Sequence, residues 1–187
     1  MRVIAGTARG RRLKDPPPGA RATSDLVRGA IFDALAARDA DLSRVLDLYA
    51  GSGALGIEAL SRGDGTCDFV ERSAAGTAVI GENLKLAGLQ DRATVHNLTV
   101  ERSAERLQGP YSLLLADPPY DDEAALAALE GVARSPLAGR DATLVLELSV
   151  RREAPDALGP LGLVWSRRHG DTQVAMYRRQ EREETDR

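Results

Sequence analysis

The stretch "RVLDLYAGSGALGIEALSRG", residues 44–63, determines the fold of this chain. Its first part, residues 44–51, is a short apolar run of strand-forming residues that ends at a glycine. Its second part, residues 52–63, has the composition of a helix that Gly63 closes. Glycine lets the backbone turn tightly between the two. A strand, a glycine loop and a helix in immediate succession predict the first unit of an α/β fold.

The rest of the chain repeats this alternation of strand and helix. We predict further strands at residues 66–71, 93–97, 111–117 and 142–149, and further helices at 23–38, 73–89, 99–108 and 122–134. Residues 161–179 are instead two strand-like runs around a Gly170-Asp171 turn, which predicts an antiparallel hairpin. The predicted fold is therefore a doubly wound, mostly parallel, seven-stranded Rossmann-like sheet with an antiparallel C-terminal hairpin.

The N-terminal region differs in charge from the rest of the chain. Residues 1–21 carry six basic side chains and one acidic side chain, although the net charge of the 187-residue chain is −3. A basic leader on an acidic body suggests an arm that binds phosphates, and the alternative is a solubilising tail. We predict a β-hairpin arm with a proline-rich linker at 1–22, one main domain at 23–180 and a charged tail at 181–187.

Several classes of protein are disfavoured by simple counts. The single cysteine, Cys67, cannot form an intramolecular disulfide and indicates a reducing compartment. The two histidines are far apart in the sequence, so we expect no metal site. No apolar run has membrane-spanning length, and the N-terminus has no apolar signal core. We therefore expect a cytoplasmic protein without a membrane partner.

The glycine loop has the spacing of an adenosine-cofactor site. Gly51, Gly53 and Gly56 form G-x-G-x-x-G, and Glu71 follows at the end of the next predicted strand. Glycines permit close approach of a cofactor, and a carboxylate at that strand end can accept hydrogen bonds from ribose hydroxyls. Asp47 favours S-adenosylmethionine, whose amino end is cationic, over a dinucleotide, whose pyrophosphate the acid would repel. The structural alternative is a tight turn beside a surface glutamate.

The tetrapeptide "DPPY", residues 117–120, ends an apolar strand at the edge where open α/β sheets bind ligands. Asp117 and the carbonyl of Pro118 can each accept one hydrogen of a planar amine, which directs the nitrogen lone pair toward a methyl donor. Pro118 and Pro119 fix the backbone and offer no competing N–H. Tyr120 can stack on a flat base. These four residues are the predicted catalytic group, and a stiff surface turn is the alternative.

The combination of "DPPY" and "DLYAGSG" resembles the methyltransferases that modify exocyclic nitrogens. The whole chain is similar to the bacterial small-subunit ribosomal RNA guanine-N2 methyltransferase D family. The resemblance lies in "MRVIAGTARGRRL", "RATSDLVRGAIFDAL", "LDLYAGSGALGIEALSRG", "FVERS", "LLADPPY" and "GDTQVAMYRR". It implies methyl transfer from S-adenosylmethionine to guanine N2 in 16S rRNA, at guanine 966 in the family's usual rRNA numbering. It also implies a monomer that acts on a 30S assembly particle rather than on DNA.

The resemblance also implies roles for individual residues. It assigns RNA contacts to five arginines: Arg2, Arg9, Arg11, Arg12 and Arg21. It places three residues beside the cofactor: Thr23, Arg28 and Tyr49. The cofactor adenine is expected to be read by Asn97 or by backbone groups alone. Two positions depart from the family pattern, since Ala22 and Gly29 stand where the family usually has proline and glutamate.

Other functions are compatible with part of this sequence pattern. The same chemistry could act on adenine N6 in DNA or RNA, because both targets are exocyclic amines. Enzymes for DNA generally need an added recognition domain, for which the chain has few spare residues. Glutamine-directed relatives carry asparagine where this chain has Asp117. A non-catalytic nucleotide-binding module would not need "DPPY", and a dehydrogenase fits Asp47 poorly.

Overall fold

The computed structural model describes residues 1–17 and 23–179. These residues form five α-helices: α1 (Asp25–Ala36), α2 (Ala54–Arg62), α3 (Ala74–Ala87), α4 (Val100–Arg106) and α5 (Ala125–Arg134). They also form eight strands: β1 (Arg44–Leu48), β2 (Thr66–Glu71), β3 (Ala93–Asn97), β4 (Tyr111–Ala116), β5 (Ala138–Ser149), β6 (Ala157–Leu158), β7 (Leu161–His169) and β8 (Thr172–Arg179). None of these helices is both long enough and apolar enough to cross a membrane.

The strands form one sheet in the order β3-β2-β1-β4-β5-β8-β7-β6. The first five are parallel, whereas β8, β7 and β6 pair antiparallel. The predicted doubly wound sheet with an antiparallel C-terminal hairpin is thus confirmed. The described part of the sheet has eight strands rather than the predicted seven, because Ala157–Leu158 adds a two-residue strand beside β7.

Helices cover both faces of the sheet. On one face α1, α2 and α3 pack through side chains such as Phe32, Ile57 and Ile80. On the other face α4 and α5 pack through side chains such as Val100 and Leu129. The central strands are therefore buried on both sides, which is why they consist of unbroken apolar runs. Parallel strands that end at one edge bring their following loops together there, and this edge holds the candidate site.

The N-terminal segment, residues 1–14, packs against α2 instead of extending from the domain. Both oxygens of the Glu58 carboxylate accept backbone N–H bonds, from Ile4 at 2.8 Å and from Ala5 at 3.0 Å. A Cβ on Gly6 would lie 1.8 Å from the carbonyl oxygen of Ser61, so a side chain cannot fit there. This close docking contradicts the alternative of a free tail for these residues.

The same segment is less regular than the predicted hairpin. It has one isolated antiparallel bridge, between Arg2 and Arg12, rather than two strands. Val3 and Leu13 are instead buried in the core between the segment and the helices. Asn83 of α3 fastens the end of the segment, because its side chain accepts from the N–H of Lys14 and donates to the carbonyl of the same residue. The predicted linker and tail lie mostly in residues 18–22 and 180–187, outside the described residues.

Candidate active site

A cavity of about 540 Å³ opens at the carboxyl edge of the sheet. Gly51 and Glu71, after β1 and at the end of β2, border one end of it, and residues 117–120, after β4, border the other. The fold thus joins the glycine loop, its acid and the "DPPY" tetrapeptide around one space. Among the described residues, no group of three or more His, Cys, Asp and Glu side chains is arranged to hold a metal ion.

Glu71 is held by main-chain donors on both carboxylate oxygens. Oε2 accepts from the N–H of Gly51 at 2.9 Å, and Oε1 accepts from the N–H of Ser73 at 2.7 Å. Gly51 has φ +57°, a left-handed conformation that favours glycine. Gly76 leaves room for the acid, since a Cβ there would lie 2.7 Å from Glu71 Cγ. A carboxylate has about four lone-pair sites, so the sites left over can accept hydroxyl donors.

Asp47 lies behind the cavity wall. The residue is 1% exposed, and its Oδ2 accepts the N–H of Gly56 at 2.8 Å, near the start of α2. Burial raises the pKa of Asp47 well above its ordinary value, and the negative charges of Asp117 and Glu71 add to the increase. Asp47 does not line the cavity. A direct contact between Asp47 and a ligand in the cavity is therefore not supported.

Among the other residues of the first loop, two glycines are buried and a tyrosine lines the cavity. Gly56 is buried against β2, where a Cβ would lie 2.4 Å from Phe69 Cε1, and Gly53 is buried with φ +78°. Neither glycine borders the cavity. Their smallness lets α2 approach the sheet closely. Tyr49 does line the cavity, with φ +57°, and burial raises the pKa of its hydroxyl.

Asp117 is held by a side chain from the N-terminal part of the chain. Its Oδ2 accepts a hydrogen bond of 2.6 Å from the hydroxyl of Thr23, which is 94 residues away in the sequence. Thr23 is 6% exposed and directly precedes Ser24, the N-cap of α1. Such a short bond to a carboxylate is charge-assisted. The structure therefore places Thr23 against the predicted catalytic acid, whereas we had expected it beside the cofactor.

The tyrosine of "DPPY" is anchored through its hydroxyl. Tyr120 Oη and Thr172 Oγ1 share a hydrogen bond of 2.8 Å, and Thr172 also donates to Glu147 at 3.4 Å. These contacts restrict rotation of the ring, which lines the cavity. Neither Thr172 nor Glu147 was predicted as a site residue. The signal for Glu147 was a single acid inside the apolar strand "ATLVLELS".

Two predicted cofactor residues lie away from the cavity. Arg28 is fully buried, and its guanidinium donates to the carbonyl of Arg2 at 2.6 Å and to Asp25 at 2.7 Å. It thereby fastens the N-terminal segment to α1, and the structure does not support a contact with the cofactor. The amide of Asn97 donates to the backbone carbonyls of Glu71 and the next residue. Asn97 thus steadies the end of β2 from outside the cavity wall.

A segment that we did not predict completes the wall. Residues 98–101, which follow β3 and include the first two residues of α4, line the cavity with Glu71. The doubly wound fold itself was the available signal, because every loop that follows a parallel strand reaches this edge.

Of the five predicted RNA-binding arginines, the exposed ones are Arg2, Arg9, Arg11 and Arg12. Arg21 lies outside the described residues.

Comparison with known proteins gives a consistent family. The family described as conserved hypothetical protein 95 matches residues 1–178. A Bacillus subtilis protein named "Putative rRNA methyltransferase YlbH" is 35% identical over 183 residues, which are 96% of this chain and 99% of that protein. Ribosomal RNA small subunit methyltransferase D of Escherichia coli K12 is 36% identical over 121 residues, 64% of this chain and 60% of that protein.

Solved structures agree with this result. The "Putative methyltransferase yhhF from Escherichia coli" has a TM-score of 0.83 at 28% identity, and the match covers 97% of this chain and 99% of that chain. An RNA methyltransferase from Salinibacter ruber, in complex with S-adenosyl-L-homocysteine, has a TM-score of 0.64 at 16% identity over 89% of this chain and 98% of that chain, which shows the fold alone. Since the family match spans nearly the whole chain, the chain belongs to the family described as conserved hypothetical protein 95.

Proposed function

We propose that this chain is an S-adenosylmethionine-dependent methyltransferase that methylates N2 of a guanine in 16S rRNA. The observation that carries the proposal is one shared cavity, with Glu71 at one end and Asp117 at the other. The first end has acceptors suited to a ribose, and the second has acceptors suited to an amine. The names of the relatives from Bacillus subtilis and Escherichia coli support rRNA as the substrate.

The residues at the first end fit S-adenosylmethionine. Glu71 is ionisable, is fixed by two backbone N–H groups and faces the cavity, as a ribose acceptor must. Gly51 and Gly76 bring no side chain into the space that the adenosine would fill. When bound, the cofactor supplies an electrophilic methyl group on a sulfonium. The buried carboxyl group of Asp47 can support its cationic amino end through an intervening water.

The residues at the second end fit an exocyclic amine. The Asp117 carboxylate and the Pro118 carbonyl each accept one amine hydrogen, so the nitrogen lone pair leaves conjugation with the ring. The hydroxyl of Thr23 orients the carboxylate from its Oδ2 side. Proline has no backbone N–H that could compete for these acceptors. Tyr120, tied at its hydroxyl to Thr172, holds the flat base in line.

The exposed arginines of the N-terminal segment support an RNA substrate. Arg9, Arg11 and Arg12 lie at the surface of a segment that is itself firmly docked on α2. Phosphate contacts from such side chains strengthen binding in a salt-dependent way. We propose that the enzyme acts in the cytoplasm on guanine 966 of a 30S assembly particle. A base inside a helix must be flipped out to reach the cavity.

The direct test is a methylation assay with labelled S-adenosylmethionine. The substrates are unmethylated 16S rRNA, naked and in 30S particles, and the products are digested to nucleosides and identified by mass spectrometry. We expect N2-methylguanosine from the wild-type protein and none from Asp117→Ala. N6-methyladenosine would show that the substrate is an adenine, and absence of label from both substrates would refute the proposal.

A further inference from the structure

The antiparallel half of the sheet carries a second set of arginines at the carboxyl edge. They are two pairs, Arg151–Arg152 just after β5 and Arg167–Arg168 near the end of β7. Ser149 of β5 pairs with Thr172 of β8, and Thr172 pairs in turn with His169 of β7. The two pairs are 16 positions apart in the sequence, yet strand pairing brings them to one corner of the domain. We call these four residues the arginine rim.

The arginine rim is connected to the candidate active site. Thr172, in the turn region of the hairpin, shares the 2.8 Å hydrogen bond with the hydroxyl of Tyr120. Arg152 donates to the carbonyl of Asp122, two residues beyond "DPPY", at 3.2 Å. β7 is three strands from β4, so Arg167 lies about 14 Å from the end of β4 across the sheet. The rim therefore extends outward from the end of the cavity proposed to hold the base.

Three of the four rim arginines have no ion-pair partner in the described residues, whereas Arg152 donates to the carbonyl of Asp122. Arg151, Arg167 and Arg168 are exposed, and none of them forms a salt bridge within residues 1–17 and 23–179. In residues 149–153 and 166–173 the four arginines are accompanied by two carboxylates, Glu153 and Asp171, which leaves a local net charge of +2. This local excess of positive charge stands out in a chain of net charge −3. Guanidinium groups bind phosphate oxygens in bidentate fashion, which suits a nucleic-acid backbone.

We propose that the arginine rim binds backbone phosphates of the RNA strand that flanks the target nucleotide. This inference rests on the proposed function, because it takes the ligand to be the RNA substrate. The N-terminal segment lies over α2, in the helical layer of α1 to α3, whereas the rim follows the antiparallel strands. The RNA would thus be held at two separate places, the N-terminal segment and the arginine rim. Tyr120, whose hydroxyl is bonded to Thr172, connects the rim to the cavity.

A different role for these charges is protection of a strand edge. The outer side of β7 pairs with β6 only at Leu161 and Gly162 in the described structure, and charged residues on such an edge prevent association with other strands. This role would account for Arg167 and Arg168. It would not account for Arg151, which lies in the turn after β5. Arg151 therefore separates the two explanations.

The test measures binding of an unmodified 16S rRNA transcript at several salt concentrations. The variants are Arg151→Gln and the double variant Arg167→Gln/Arg168→Gln. The control is Arg140→Gln/Arg179→Gln, which removes two exposed arginines near the opposite edge of the sheet. Each lost phosphate contact lowers the slope of log K against log salt by about 0.7 to 0.9. We expect a decrease of about 1.5 for the double variant, just under 1 for Arg151→Gln and none for the control.

Several outcomes would overturn the proposal. One is equal slopes for the rim and control variants. Another is an unchanged slope for Arg151→Gln together with aggregation of the double variant in size-exclusion chromatography, which is the result that edge protection predicts. Rim-dependent binding without methylation would refute the proposed function and leave the rim supported. Methylation by the wild type with unchanged binding by the rim variants would refute the rim alone. No binding of the transcript by the wild type would also refute the rim, and methylation of 30S particles would then decide the proposed function separately.

Discussion

Glu71 and Asp117 are carboxylates at the two ends of one cavity, and they are held in different ways. Glu71 accepts backbone N–H groups of Gly51 and Ser73, at 2.9 and 2.7 Å, from the turns at the ends of β1 and β2. Asp117 accepts the side-chain hydroxyl of Thr23, at 2.6 Å, from the residue that precedes the cap of α1. One acid thus depends on the backbone of the sheet edge, and the other on a side chain delivered by tertiary packing.

The difference indicates that the two ends can be disturbed separately. A backbone donor does not depend on the side chain of its residue, so the cofactor end is insensitive to most single substitutions around Glu71. The exceptions are Gly51, with its left-handed φ of +57°, and Gly76, where a Cβ would lie 2.7 Å from Glu71 Cγ. A side-chain donor is lost with one substitution, so the orientation of Asp117 depends on Thr23. If the proposed function is correct, substitutions at one end change cofactor affinity and substitutions at the other change the rate.

The largest effect is expected at the amine end. Asp117→Ala removes an acceptor for the amine and should lower the rate of methyl transfer by about 10³-fold. Affinity for S-adenosylmethionine should stay within about twofold, because the contacts of Glu71 are untouched. Single-turnover kinetics and calorimetry measure the two quantities. Glu123→Ala, an exposed carboxylate nearby in the chain, is the control and should behave as wild type. A parallel loss of cofactor affinity would contradict the separation of the two ends.

The next effect is expected at the ribose end. Glu71→Ala should weaken S-adenosylmethionine binding by about 2–3 kcal/mol, which is roughly 30- to 150-fold, because hydrogen bonds to a charged group are lost. Calorimetry measures the loss, and saturating cofactor should restore most of the rate. Glu105→Ala removes an exposed carboxylate from α4 as a control. Equal affinity of the Glu71 variant and wild type would rule out the ribose contact.

A smaller effect is expected at Thr23. Thr23→Val keeps the side-chain shape but removes the hydroxyl that orients Asp117, and we expect about a tenfold lower kcat, or about 1.4 kcal/mol. The Kd for S-adenosylmethionine should not change. Thr23→Ser keeps the hydroxyl and should recover most of the rate. If Thr23→Ser and Thr23→Val lower kcat equally and are equally stable to heat, loss of the hydrogen bond to Asp117 is not the cause of the lower rate. The proposed difference between the two ends of the cavity would then be wrong.

The last effect concerns stability rather than activity, at Asp47, the buried carboxyl group that interacts with both acids. Its pKa is raised by burial from an ordinary value of 3.8, so the folded state binds its proton more tightly than the unfolded state. The contribution of Asp47 to the free energy of unfolding therefore falls as pH rises above about 4. Asp47→Asn does not titrate, so the difference in unfolding free energy, variant minus wild type, should increase from pH 4 to 7. Urea unfolding at several pH values measures it, and a constant difference would contradict the raised pKa.

Much of the site was predictable because it follows parallel strands. Residues 51–56, Glu71 and residues 117–120 each end or follow a strand, and the carboxyl ends of such strands meet at one edge. The position of Arg28 was not predictable in this way. Its motif was recognised, but burial against the N-terminal segment decided that its guanidinium fastens Arg2 and Asp25.

Sequence patterns alone predicted the order of helices and strands, the antiparallel ending and the edge at which the cavity opens. These features follow from apolar periodicity, glycine positions and the connection rules of parallel sheets, which act over short stretches of chain. Three features became visible only in the folded chain: the bond of Thr23 to Asp117, the bonds of Glu58 to residues 4 and 5, and the common corner of two arginine pairs. Such contacts join residues that are distant in the chain, so they depend on how the layers pack and on the register in which the strands pair.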